Sequence, residues 1–86
     1  MDFSDRTVDE VTFRVVQECP FRLPVPHWVA AEGQPVTVIP PKAGVSESWF
    51  VYAPLCGIRN GLNELDGDNA EKRAFTVAAM YAKQPG

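Results

Sequence analysis

The chain has 86 residues, a formal net charge of −3 and a hydrophobic content of 45%. That length suits one domain, and that much hydrophobicity with so little net charge excludes an intrinsically disordered chain. The eight Lys and Arg residues are scattered singly apart from Lys72-Arg73, so there is no basic patch of the kind nucleic-acid binders carry, and no run of about 18 apolar residues marks a membrane span.

The acidic start, Met1-Asp2-Phe3-Ser4-Asp5-Arg6, lacks the basic and then apolar segments of a signal peptide. Two cysteines without such a signal are expected to be free thiols in a reducing, cytoplasmic compartment. No cofactor, nucleic-acid or membrane partner is expected. The predicted unit is a single small α+β domain over residues 1–86, with residues 1–6 as a flexible tail.

Thr7-Val8-Asp9-Glu10 matches a capping box, in which the Thr hydroxyl and the Glu carboxylate each satisfy a backbone N–H of the first helical turn. Val8, Val11, Thr12, Val15, Val16 and Cys19 then recur at helical spacing. The expectation is an N-terminal helix, ended by Pro20. The rival is a strand, because the segment is rich in β-branched residues and Val11, Phe13 and Val15 alternate.

Three prolines between Pro20 and Pro26 predict an extended connector. Arg22-Leu23-Pro24-Val25-Pro26 does not have the proline spacing of an SH3 ligand. Residues 27–31 and 36–39 are short apolar runs around Glu32-Gly33-Gln34-Pro35, a hairpin signal in which Gly33 supplies positive φ.

The segment from Ser48 to Pro54 is the most aromatic in the chain and predicts a central strand. Alternation places Trp49, Val51 and Ala53 on one face, and Phe50 and Tyr52 on the other. Both faces are apolar. Between Leu55 and Gly67, the spacing of Ile58, Leu62 and Leu65 suggests one helical turn under the core.

Asp68 followed by Glu71 suggests a capped helix start. The stretch 69–83 is rich in strong helix formers, with Ala70, Ala74, Phe75, Val77, Ala78, Tyr81 and Ala82 on one side. Phe75 is the expected anchor. The predicted architecture is α+β and two-layer, a three-stranded antiparallel sheet with an N-terminal helix and a C-terminal helix (α-β-β-β-α).

Candidate chemistry is sparse. Cys56 follows a strand end, but a nucleophilic thiol needs a base nearby, and the one histidine, His27, has no feature linking it to Cys56. Cys19, His27 and Cys56 lack the closely spaced ligand pairs of structural zinc sites. Glu64, Asp66, Asp68 and Glu71 form an acidic cluster that fails the EF-hand register, and the glycines fit no phosphate-loop motif. No metal or catalytic residue is assigned.

The aromatic residues carry the functional expectation, since aromatics are enriched in interface hot spots. Trp28, Trp49, Phe50, Tyr52 and His27 are the candidates for an interface or ligand surface. The expected function is a non-enzymatic interaction module, a homo-oligomer or a protein that binds or inhibits another protein through an aromatic sheet face. A small acidic accessory factor of a phage or mobile element is an analogy of this kind. The alternatives are a small-ligand pocket lined by Trp49, Tyr52 and His27, and a thiol enzyme using Cys56.

Overall fold

The computed structural model describes residues 4–17, 26–42, 44, 47–54 and 62–85. They form β1 (Arg6–Val8), β2 (Val11–Val16), β3 (His27–Ala30), β4 (Thr37–Ile39), β5 (Trp49–Tyr52), β6 (Leu62–Leu65) and α1 (Ala70–Ala82). The six strands lie side by side in chain order, each antiparallel to the next. This is the topology that short sequential links favour. The helix packs across one face.

The predicted α-β-β-β-α order is therefore corrected at its N-terminal end. Residues 6–16 are a β-hairpin instead of a helix, and the sheet has six strands instead of three. The supposed capping box is the hairpin turn. Val8 pairs with Val11, and Asp9 and Glu10 between them have φ of 50° and 71°. Positive φ at both central residues matches the right-handed strand twist. Phe13, which fell off the helical stripe, is fully buried in the strand. Its alternation with Val11 won because β-branched residues gain more in a paired strand than in a helix.

A non-glycine residue at positive φ is strained. Glu10→Gly is accordingly expected to raise stability by about 1 kcal/mol, visible as a higher melting temperature. A lowered melting temperature would mean that this turn is not the one the protein uses.

Ser4, Asp5 and Arg6, expected in a loose tail, are tied to the sheet. The Ser4 carbonyl accepts from Trp28 Nε1 at 2.9 Å, and Asp5 Oδ1 accepts from the Val15 N–H at 3.0 Å. Residues 62–65, expected in a helical turn, are strand β6. Residues 55–61 of that expected turn, and residues 20–25 of the expected connector, lie outside the described residues.

The helix start also differs from expectation. The N-cap is Asn69, in the left-handed region and without a side-chain cap bond. Glu71 does not close a capping box. It reaches β1 instead, where its Oε1 accepts from Arg6 at 3.0 Å. Arg73 donates to the Asp66 carbonyl and holds the incoming chain against the first turn.

The core lies between helix and sheet. Ala70, Ala74, Ala78, Ala79 and Ala82 are buried, and their small side chains let the helix approach the sheet closely. Phe75 projects between them into an aromatic cluster. Its ring meets Phe13, Trp28 and Trp49 edge-on, with centroids 5.3, 5.1 and 6.0 Å away. Trp28 and Trp49 stack at 5.9 Å. The Arg6 guanidinium carbon sits 4.7 Å from the Trp28 ring and 4.6 Å from Phe75, a cation–π arrangement. Polar contacts tie both edge strands to the helix, Arg6 to Glu71 on β1 and Asn63 Nδ2 to the Tyr81 hydroxyl, at 2.7 Å, on β6.

Candidate functional site

Strand alternation and the pairing register sort the side chains onto two faces. The face under the helix carries Val11, Phe13, Trp28, Val38, Trp49 and Val51, all buried. The opposite face has two rows. Arg14 pairs with Val29, Val29 with Thr37, Thr37 with Tyr52 and Tyr52 with Leu62. The second row holds Val16 and His27 on β2 and β3, then Ile39, Phe50 and Glu64 on β4 to β6. Among the described residues, no helix or strand packs on this second face.

The sequence candidates divide between the two faces. Trp28 and Trp49 are core residues at 0% and 5% exposure. They stack on each other and cannot be contact residues. Phe50, Tyr52 and His27 lie on the face away from the helix. Tyr52 is 38% exposed, Phe50 is half-buried and His27 is buried. The expected separation of Trp49, Val51 and Ala53 from Phe50 and Tyr52 matches the observed burial. A pocket lined jointly by Trp49, Tyr52 and His27 is not formed, because Trp49 belongs to the other side of the sheet.

Sequence reasoning missed Val16, Val29, Ile39 and Leu62 as members of this face. Leu62 is 48% exposed. It stands beside Tyr52 in register, so the two form a small exposed apolar patch. For Val16 the signal was the alternation within 11–16, and for Val29 and Ile39 it was their place in stretches already read as strands; Leu62-Asn63-Glu64-Leu65 does not alternate, so only its pairing with β5 sets its face.

The face is polar towards β1. There Thr7 and Thr12 are opposite each other, their hydroxyls 3.4 Å apart. Arg14 and Glu64 are the charged residues on the rows and stand at diagonally opposite corners. Between them lie Val16, Val29, Ile39, Phe50, Tyr52 and Leu62, with the Thr37 hydroxyl and the buried His27 among them. The aliphatic and aromatic members of this face suit the burial of apolar area.

Among the described residues, clefts elsewhere border the helix and open to solvent. One of about 380 Å³ lies between the first hairpin and the helix, lined by Arg6, Val8, Glu71 and Phe75 among others. Among the described residues, no three His, Cys, Asp or Glu side chains gather where a metal ion could be held. The acidic cluster is dispersed, with Glu64 on the open face and Glu71 paired to Arg6. Cys19 and Cys56 lie outside the described residues, and with them the thiol expectation. No described helix is long and apolar enough to cross a membrane. No protein-family description, curated protein or solved structure matches the chain.

Proposed function

We propose that the protein is a non-enzymatic interaction module that associates, with itself or with another protein, through the sheet face carrying Phe50, Tyr52 and Leu62. The observation behind this reading is the imbalance between the two sides of the sheet. Among the described residues a single helix is spent on one apolar face, while on the other Tyr52 and Leu62 are exposed in register. A sheet with two apolar faces needs two covering layers, and a partner supplies the second.

Aromatic and aliphatic side chains at the centre of such a patch, with charge only at its corners, follow the usual division of an interface into apolar core and polar rim. The test is sedimentation velocity over the micromolar to millimolar range on the full chain and on Tyr52→Glu. The wild type is expected to sediment faster as concentration rises. The variant, equally folded by its thermal melt, is expected to stay monomeric. A wild type that never associates, together with no cross-link from a photoreactive residue at position 52 in extract of its native host, would sink the reading.

A further inference from the structure

We infer that Asp66-Gly67, in the link between β6 and α1, is a site of covalent modification, where Asp66 converts to isoaspartate through a cyclic imide, and that Arg73 directs which product forms. No other aspartate in the chain is followed by glycine. The reaction needs a carboxyl group, an unhindered backbone nitrogen next to it and freedom to close a small ring.

The link supplies all three. Asp66, Gly67, Asp68 and Asn69 are exposed and lie outside the flanking strand and helix. Exposed loops of this kind open locally at little cost. Gly67 has φ of +82°, and nothing stands within 4 Å of the position a Cβ would take. With no Cβ of its own, it leaves its nitrogen open to approach. The Ala70 N–H reaches the Gly67 carbonyl only at 3.4 Å, outside the usual range of such bonds, so the turn is loosely held. The other described aspartates are worse placed. Asp5 already accepts from the Val15 N–H, and Asp9 and Asp68 precede residues with bulky side chains, Glu10 and Asn69.

Ring closure joins the Gly67 nitrogen to the side-chain carboxyl carbon of Asp66 and expels water. The water takes its oxygen from the carboxyl group and one proton from the N–H. Both reacting groups belong to adjacent residues, so the step is intramolecular. Water then opens the ring at one of its two carbonyls. Attack at the side-chain carbon restores aspartate. Attack at the main-chain carbon breaks its bond to the Gly67 nitrogen. The chain then runs through Cβ and Cγ, and the α-carboxylate of residue 66 is free. The water lost is regained, so the mass is unchanged.

Arg73 biases the second step. Its guanidinium donates to the main-chain carbonyl oxygen of Asp66, the atom on which negative charge develops when water attacks that carbon. A donor fixed there stabilises that route, and the α-carboxylate it produces is the stronger partner for an arginine. Isoaspartate is the favoured product, and it lengthens the link between β6 and α1 by a methylene.

Incubation of the full chain in heavy-oxygen water, at neutral pH and body temperature, tests this. Each ring opening leaves a label in whichever product forms. Electron-transfer fragmentation of the tryptic peptide 60–72 then locates isoaspartate and labelled aspartate within it. Isoaspartate is expected to accumulate at position 66 of the folded wild type and to be absent from Asp66→Glu, whose longer side chain closes the ring reluctantly. In Arg73→Met, equally folded by its thermal melt, the ratio of isoaspartate to labelled aspartate is expected to fall about two- to fivefold, the size of an exposed charge interaction. Isoaspartate that forms at position 66 only when the chain is unfolded in guanidinium chloride overturns the site. A ratio unchanged in Arg73→Met overturns the directing role of Arg73.

Discussion

Phe75→Ala is expected to lower the free energy of unfolding by about 3–5 kcal/mol, measured by urea titration. The side chain is 2% exposed and touches every other member of the aromatic cluster. Its removal leaves a cavity walled by three rings. Rings are stiff, and the neighbours on the helix are alanines, which have no side chain long enough to collapse into the space. Edge-to-face pairs contribute about 0.5–1.5 kcal/mol each beyond area burial, and the same truncation ends the contact that Arg6 makes with this ring.

Native domains of this size are stable by about 4–13 kcal/mol, so the variant retains only part of its stability. Its melting temperature is expected to fall by at least about 12 °C. Phe75→Leu keeps most of the volume and is expected to cost markedly less. A loss under about 1 kcal/mol for the alanine variant would show that the helix is anchored elsewhere.

Gly33→Ala is the second large effect, expected at about 2–4 kcal/mol. Gly33 has φ of +78°, and a side chain there is strained in any surroundings. The site adds a second difficulty. A Cβ on Gly33 would overlap the carbonyl oxygen of Ala82, at the C-terminal end of the helix. That carbonyl accepts from the Gln34 N–H at 2.9 Å, so the β3–β4 loop caps the helix end and fixes its position over the sheet. Moving either backbone to admit a methyl group breaks this bond.

Gly44→Ala is the control. Gly44 has φ of +81° and nothing within 4 Å of the position a Cβ would take. It is expected to cost only the backbone term, about 1 kcal/mol. Equal losses at the two glycines would show that the Gly33 approach to the helix does not constrain the fold. A larger loss at Gly33, with faster hydrogen exchange at Gln34, is the expected result.

Much of the middle and end of the chain was legible without coordinates. β3, β4 and β5 occupy the stretches that the apolar runs and turn residues marked. The Ala-rich helix and its Phe75 anchor followed from composition and spacing. The first hairpin was not legible in the same way. Its valines satisfy both a helical stripe and a strand alternation, and Thr7 to Glu10 mimics a capping box while forming a two-residue turn with both φ positive. Local rules favoured the helix, wrongly. What separates them is β3, whose Trp28 and Ala30 pair with Val15 and Phe13 from 13 to 17 residues away. Strand β6 was hidden for the same reason, since Leu62 and Leu65 fit a helical turn until Trp49 and Tyr52 pair with them.

From the sequence alone came the composition, the two apolar faces of 49–53 and the small-residue stripe of the last helix, because each depends on neighbours within a few positions and on fixed periods of 2 and 3.6. The tertiary structure alone decided which aromatics are core and which are surface. Stacking Trp28 on Trp49 requires β3, β4 and β5 to be in register, and lining up Arg14, Val29, Thr37, Tyr52 and Leu62 requires four separate strand pairings. Register is set by the burial of a whole face at once, where a slip of one residue would turn every side chain over. The open face is thus a property of the assembled sheet and of no single segment in it.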